Sequence, residues 1–518
     1  MLRARPLLLA AFPVFCASAA LAQPTVDPAV ANDLTLELMT NDLSQPTSAQ
    51  FLPDGRLLIF QKSGEILVAD GTVGATATQI GSITVPTNSE RGLLNMAVDP
   101  MFTTTNRVYI YYSAGNSQSV GYVTINGNTV SAPTPLLTGL SGSNNHDGGG
   151  LTFGPDGLLY ISVGDTGCNC NCSPGNADNY FGTCLTRLHG KVLRIDRDGN
   201  IPATNPLVGV NEVASCGAQQ NCNTAPDIST GAPPRTEIYN WGFRNPWRIA
   251  FDEQSGYLWI GDVGEITFEE INISTGPAQH FGWPYREGDQ GDAPTTCEMI
   301  TPTAPGDCKE PAAFFGHNTG AVSITGGVFS NHCSWPAALS GLYWFADYGA
   351  TRVWTLEPNA TRDGVTGQRE SKIRNAGGII HFFNGPDGAV YFVSINSGQI
   401  WKMTPTNPIN CGGVDAGPDD AGLPEDTGVP ADTGVPVDTG VALDADTDSG
   451  VVRDSGPTPD SGVVADSGVA VDAGTADTGA PAEEEDSGCG CTSHAQGRTG
   501  LGTLFGAIVV FAFLRRRR

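Results

Sequence analysis

The sequence predicts an all-β protein, a six-bladed β-propeller followed by a disordered acidic spacer and a short C-terminal apolar segment. Three observations carry this. No long apolar stripe of 3.6-residue period runs through residues 23–411. Instead, a unit of turn, strand, tight turn and strand recurs at irregular spacings of about fifty residues or more. Several of these units open on the same Pro-Asp-Gly turn, in which Pro presets φ and Gly accepts the positive φ that follows. About 390 residues fit six blades best, and an array of β-sandwiches would not explain the repeated openings.

The units can be read in order. Pro53-Asp54-Gly55 leads into Arg56 to Phe60, then Ser63-Gly64, then Glu65 to Val68. Pro155-Asp156-Gly157 leads into Leu158 to Val163, which alternates like a strand, and Gly190 to Ile195 follows after an insertion. Gln254-Ser255-Gly256 leads into Tyr257 to Ile260. Leu342 to Ala346 leads through Arg352 into Val353 to Leu356. Pro386-Asp387-Gly388 leads into Ala389 to Val393, then Ser397-Gly398, then Gln399 to Met403. Blades radiate around an axis, so loops distant in sequence converge on one face.

The ends are equally legible. Residues 1–22 carry Arg3 and Arg5, an apolar stretch from Leu7 to Phe15, and Ala20-Leu21-Ala22, the pattern of a secretory signal peptide. Residues 412–488 repeat Asp-Thr-Gly-Val-Pro and Asp-Ser-Gly-Val-Val with Arg453 as the one basic residue. Such a segment cannot bury enough apolar surface to offset its ordering entropy, so it reads as an extended, self-repelling spacer. It also supplies much of the net charge of −27, which therefore says little about a substrate. Residues 489–518 hold Cys489-Gly490-Cys491, an apolar segment from Leu501 to Leu514 and four terminal arginines. This end resembles the sorting tails of myxobacterial surface proteins; the plainer reading is a membrane anchor, though the apolar run is short for a stable span. Either way the expected location is the cell surface or outer envelope, or the medium if the tail is cleaved without anchoring.

Ten cysteines lie between those ends: Cys168, Cys170, Cys172, Cys184, Cys216, Cys222, Cys297, Cys308, Cys333 and Cys411. An even number in an exported chain favours disulfides over metal, and Cys297 with Cys308 and Cys216 with Cys222 are natural local pairs. The Cys168-x-Cys170-x-Cys172 spacing is not that of a zinc ribbon or knuckle.

Among the loops, one run stands out: Asn144-Asn145-His146-Asp147-Gly148-Gly149-Gly150, with Asp165 arriving at the far end of the next strand. Three glycines after an imidazole build neither core nor helix, but they let a backbone or ligand come very close. His146 is a plausible general base with Asp165 as its orienter, and the bland alternative is a histidine capping a surface turn. Three further segments read as loops carrying chemistry. Glu90 to Pro100 precedes a strand at Arg107 to Tyr112. Asn240 to Arg248 sets Arg244 and Asn245 before Pro246. Asp262 to Asn272 is dense in oxygen donors of the kind Ca²⁺ prefers, although it does not match the EF-hand loop and equally suits a solvated acidic turn. Phe281-Gly282-Trp283-Pro284 reads as packing.

Together these segments resemble the glucose/sorbosone dehydrogenase family, the soluble propeller sugar dehydrogenases that use pyrroloquinoline quinone (PQQ). The pieces that carry the resemblance are Glu90 to Pro100, His146 to Asp165, Gly242-Phe243-Arg244-Asn245-Pro246, Asp262-Val263-Gly264 through Asn272, and Gly282-Trp283-Pro284. The resemblance implies that His146 takes the anomeric hydroxyl proton of an aldose while hydride passes to the quinone, and that Asp165 supports His146. It implies that Arg244 binds the quinone oxygens, with Asn245 and Glu90 lining the same pocket. The carbonyls of Gly264 and Glu265 would hold a Ca²⁺ bridging to PQQ, and Glu270 a second, structural Ca²⁺.

The sequence also departs from that family pattern. Tyr348-Gly349-Ala350 stands where a lysine is expected, and Gly377 to His381 where an arginine pair is expected. PQQ has three carboxylates, so those cations matter, and Arg352, Lys372 and Arg374 are the nearest substitutes. Ile324 to Phe329, with Phe345 to Tyr348 and Arg352 to Trp354, looks closer to the hedgehog-interacting-protein-like branch. Three functions therefore stay open: a PQQ- and Ca²⁺-dependent aldose dehydrogenase, a non-enzymatic surface propeller binding carbohydrate or protein, and a Ca²⁺-dependent propeller lactonase or other hydrolase. No Cys-x-x-Cys-His haem motif identifies an electron acceptor, and an acidic chain without a basic patch argues against nucleic acid.

Overall fold

The computed structural model describes residues 23–140, 145–167, 180–215, 227–291 and 308–411. The proposed signal peptide, spacer and tail lie outside the described residues, as do Asn144, Cys168, Cys170, Cys172, Cys216, Cys222 and Cys297. Six antiparallel sheets follow one another along the chain. Blade one is Pro46–Phe51, Leu57–Gln61, Glu65–Ala69 and Thr78–Ser82. Blade two is Leu93–Val98, Arg107–Ala114, Ser117–Asn126 and Thr129–Val130, with Thr134–Leu137 also paired to the third strand. Blade three is Leu151–Phe153, Leu159–Val163, Lys191–Ile195 and Ile238–Trp241. Blade four is Pro246–Asp252, Tyr257–Asp262, Phe268–Ser274 and Ala313–Gly316. Blade five is Ile324–Phe329, Tyr343–Asp347, Arg352–Pro358 and Val365–Arg374. Blade six is Ile379–Asn384, Val390–Ser394 and Gln399–Pro405, completed by Leu34–Thr40 from the start of the chain. The first strands of consecutive blades touch, and blade six touches blade one, so the ring closes.

The hydrophobic core is divided into slices between neighbouring blades rather than gathered at the centre. Leu58, Phe60, Met96 and Ile110 fill the space between blades one and two, and Trp344, Val353, Ile379 and Phe392 that between five and six. This explains a difference from the sequence reading. Leu159–Val163 is buried on both faces, as are the second strands of blades one, five and six. A strand sandwiched between two blades needs apolar residues on both sides, so it is a continuous apolar run and the alternation is only apparent.

Three segments read as loops are partly strands: Leu93–Val98, Pro246–Asp252 and Phe268–Ser274. Two of these, with the first strands of blades one, five and six, begin at a break in register, for example between Leu93 and Asn95 and between Pro246 and Arg248. A bulged, Gly- or Pro-marked start hides a strand in sequence. The antiparallel order also sorts the loops by face. The Pro-Asp-Gly turns join first to second strands and lie on one face. Loops leading into first strands, and loops joining second to third strands, lie on the other. Glu90, His146, Asp165, Arg244, Asn245, Gly264 and Glu265 all belong to that second face.

Two features fasten the ring where the chain begins and ends. Asp27 accepts from Arg374 Nε at 2.6 Å, lies 3.7 Å from Arg352, and caps Ala29 N at 3.1 Å. The Arg374 hydrogen bond, working against partial desolvation, holds its carboxyl near 2 against an ordinary value of 3.8. A disulfide joins Cys333, in the first-to-second-strand loop of blade five, to Cys411 just after the last strand of blade six. Cys184 and Cys308 are disulfide-bonded as well. Because the Asp27 pKa is depressed, its stabilisation is full above about 3.8 and fades as pH falls through about 2. Asp27→Asn should therefore unfold at lower denaturant than the parent at neutral pH, with the two curves converging near pH 2. Replacing both Cys333 and Cys411 by serine opens a loop of 78 residues. In the chain-entropy picture it should cost about 4.5 kcal/mol in urea unfolding.

Candidate functional site

The residues His146 to Gly149 form a strained bend tied to three blades. His146 has φ 55°, Gly148 φ 70° and Gly149 φ 117°. The amide of Asp147 donates to Glu90 Oε2 at 2.9 Å, and that of Gly148 to Asn245 Oδ1 at 2.9 Å. The bend presses on the end of Leu159–Val163: a Cβ on Gly148 would meet the amide N of Gly164 at 2.7 Å, and one on Gly164 would sit 1.9 Å from the His146 carbonyl oxygen. The glycines flanking His146 are thus steric requirements of a close backbone approach.

His146 is held by its Nδ1, 2.7 Å from Asp165 Oδ1. A carboxylate accepts only, so Nδ1 carries the proton and Nε2 the lone pair in the neutral ring. Asp165 is fully buried and satisfied on both oxygens: Oδ1 also accepts from Gly167 N at 2.8 Å, and Oδ2 from Trp283 Nε1 at 2.8 Å. Burial alone would raise its pKa. The imidazole of His146, then Arg244 and the Gly167 amide, outweigh that and hold it below the ordinary carboxylate range. Trp283, which the sequence suggested was only packing, is therefore part of this chain of contacts. Its ring also lies 5.6 Å from the Arg244 guanidinium.

Arg244 and Asn245 enter from the loop before blade four. The Arg244 carbonyl accepts from Asp165 N at 2.8 Å, and its Nη1 donates to Val263 O at 3.2 Å and Gly264 O at 2.7 Å. The amides of Arg244 and Asn245 donate to Asp262 at 3.1 and 2.7 Å. His146, Asp165, Arg244, Asn245, Glu90 and Gly264 are thus one connected cluster. Glu265 follows on the same loop, which a single acceptor organises: Glu287 Oε1 takes the amides of Glu265, Ile266, Thr267 and Phe268 at 2.7 to 3.2 Å. Glu270 stands apart. It lies on Phe268–Ser274 opposite Asp262, buried under the loop, and accepts from Gly288 N at 2.6 Å.

Acidic side chains are concentrated here. Burial, then the neighbouring Glu270, pushes Asp262 well above the ordinary carboxylate range, and burial pushes Glu270 up to about 7. Glu265 is raised by burial too, with Arg244 opposing. Two backbone carbonyls beside raised, crowded carboxylates are a donor set suited to a hard divalent cation. The Gly264 carbonyl already accepts from Arg244, but a carbonyl oxygen has a second lone pair. A different cluster, His332 with Cys333 and Cys411, is the disulfide with a histidine beside it.

Beside this cluster the shaft of the ring opens into a cavity of about 300 Å³. Its walls include Leu94, Trp247, Tyr348, Ile380 and Ile395, and its polar groups include Thr47, Lys62, Glu90, Asn245 and Thr325. Apolar walls with a few convergent polar groups make this cavity the candidate ligand site. Lys62 and Trp247 are residues that sequence reasoning missed. Lys62 immediately precedes the Ser63-Gly64 turn. Its place in a second-to-third-strand loop, the loop class that holds Asp165 and Gly264, was the available signal. Burial lowers its pKa, with Glu90 opposing. The three compensating cations proposed from sequence do not reach the cavity: Arg352 and Arg374 pair with Asp27, and Lys372 Nζ donates to Glu370 at 2.8 Å.

The chain belongs to the glucose/sorbosone dehydrogenase family, whose profile matches residues 43–402. Among its relatives is the aldose sugar dehydrogenase YliI of Escherichia coli, 27% identical over 76% of this chain and 98% of that protein. The HIPL2 protein of Arabidopsis thaliana is 31% identical over 42% of this chain and 30% of its own length. The PQQ-bound aldose sugar dehydrogenase of Streptomyces coelicolor shares the fold, with a TM-score of 0.53 and 20% identity over 72% of this chain and 98% of that one.

The close approach at Gly164 is directly testable. Gly164→Ala should cost about 1–3 kcal/mol in denaturant unfolding, because its Cβ has to displace the His146 backbone. Gly276→Ala, where a Cβ meets nothing within 4 Å, should change little.

Proposed function

We propose that this protein oxidises an aldose at its anomeric carbon, with PQQ and Ca²⁺ bound at the mouth of the propeller. The observation that carries this reading is the His146–Asp165 pair joined through Arg244 to the Gly264 loop, at the edge of a cavity of quinone size. Family membership and the aldose dehydrogenase relatives support the reaction class, and the PQQ-bound neighbour supports the cofactor.

In this reading His146 Nε2 receives the proton of the anomeric hydroxyl, acting as general base. Asp165 keeps the imidazole in the tautomer that leaves Nε2 free to accept, and it favours the protonated ring that results. Trp283 and Gly167 hold Asp165 in turn. Arg244 would stabilise negative charge on quinone oxygens, and Asn245 and Glu90 fix the bend that carries His146. The carbonyls of Gly264 and Glu265 would hold the catalytic Ca²⁺, and Glu270 a structural one. The bound quinone supplies the hydride acceptor, and the divalent ion polarises it as a Lewis acid. Tyr348, half exposed at the rim, offers an aromatic face to a sugar ring.

The Cys333–Cys411 disulfide supports an oxidising compartment. Export, with tethering to the envelope by residues 412–518, completes the proposal. The electron acceptor would be a separate partner.

The test is reconstitution of the full chain with PQQ and Ca²⁺, followed by dye reduction with a panel of aldoses. Sugar-dependent reduction is expected, and His146→Ala should lower kcat by about 10²–10⁴-fold in a protein that is still folded by circular dichroism, with a lower unfolding midpoint because buried Asp165 loses a partner. An active His146→Ala variant would remove the assignment of the base. Failure of the parent to bind quinone at micromolar concentration would favour a non-enzymatic propeller.

A further inference from the structure

Arg248 occupies an unusual place. It leaves the first strand of blade four and is only 4% exposed. Its Nη2 donates to Thr47 O at 3.3 Å and Leu94 O at 3.0 Å, and its Nη1 to Gly149 O at 3.3 Å and Trp247 O at 3.0 Å. These carbonyls belong to blades one, two, three and four. In a ring of six, blades one and four face each other, so the guanidinium must sit in the central shaft. Gly149 leaves room for it, since a Cβ there would lie 3.3 Å from Nη1.

Two further facts concern its charge. Among the described residues no carboxylate forms an ion pair with Arg248, and Nε has no partner. Burial alone pulls its pKa down to about 9. Carbonyl dipoles satisfy most of its protons but cannot neutralise a full charge, and an unpaired buried ion is strongly disfavoured. Meanwhile Thr47, Leu94 and Trp247, three of the residues whose carbonyls it grips, line the cavity directly. His381, also at the shaft, has its pKa lowered to about 3 by burial and then by Arg248, so it remains neutral and adds no charge.

We infer that Arg248 is the positively charged floor of an anion-binding subsite in the central cavity, one that takes the carboxylate groups of a planar polycarboxylated ligand. This rests on the reading of the cavity as the cofactor site. It accounts for how a chain without the cations expected in blades five and six can hold a tricarboxylate: the charge comes from below, through blade four, with Lys62 in the cavity lining. The subsite is charge-selective, because the four Nη hydrogens are already donated to carbonyls and the guanidinium acts on a ligand through its charge rather than through hydrogen bonds.

The experiment measures binding to the full-length apoprotein by quenching of tryptophan fluorescence, Trp247 being in the cavity wall. Three probes are used: PQQ, its uncharged trimethyl ester, and benzene-1,3,5-tricarboxylate. Arg248→Met should weaken both acids by about thirty-fold, the size expected of one charge pair in a partly screened interior, and leave the ester unchanged. Arg248→Lys, which keeps the charge and guards against a variant that fails to fold, should recover part of the loss. Circular dichroism checks that each variant has the parent fold. If the parent binds the tricarboxylate but not PQQ, the quinone reading falls and the subsite stands. If Arg248→Met binds both acids as the parent does, or loses the ester equally, or if Arg248→Lys recovers none of the loss while keeping the parent fold, the inference is overturned. It is overturned too if the parent binds neither acid.

Discussion

The bend from His146 to Gly149 is the constraint on which the rest of this site depends. It is pinned by Glu90 from the loop before blade two, by Asp165 and the backbone of blade three, and by Asn245 from the loop before blade four. No one blade determines where the imidazole points. Its position follows from the closure of the ring, and closure follows from Leu34–Thr40 pairing with Gln399–Pro405 across the whole length of the chain. Local strain at His146, a non-glycine residue at φ 55°, persists because the surroundings over-determine it.

The electrostatics follow from the same geometry. Six sheets packed face to face around an axis leave a central shaft, and polar groups brought to that shaft are poorly solvated. Carboxylates gather on the blade-four side, where Asp262, Glu265 and Glu270 are raised by burial. Cations stand at and below the cavity, as Lys62 and Arg248, with Arg244 on the neighbouring loop. Such separation of buried charge is costly in an empty protein and becomes favourable when ligands of the complementary charges are bound. A divalent cation on the acidic side and an organic anion over the basic side would balance it.

Much of this was legible in the sequence. The Pro-Asp-Gly turns gave the repeating unit, because their backbone chemistry is local. The pairing of His146 with Asp165 was legible because a single hairpin, Leu151–Phe153 with Leu159–Val163, separates them and returns the chain to the face it left. Arg244 and Gly264 were legible through their resemblance to the family. What was not legible depended on contacts between blades. Trp283 lies 118 residues from the Asp165 it supports. Arg248 reads as an ordinary strand residue until the ring brings blade one opposite blade four. Bulged strand starts hid Leu93–Val98 and Pro246–Asp252, and cations at Arg352, Lys372 and Arg374 looked available only because their partners Asp27 and Glu370 could not be placed.

The most direct test of the central claim is a single-turnover measurement on the full chain loaded with PQQ and Ca²⁺, following cofactor absorbance after mixing with an aldose carrying deuterium at its anomeric carbon. Sugar-dependent reduction that is slower with the deuterated than with the ordinary sugar is expected, because that carbon–hydrogen bond breaks beside His146. A loaded protein whose absorbance does not respond to any aldose would contradict the account.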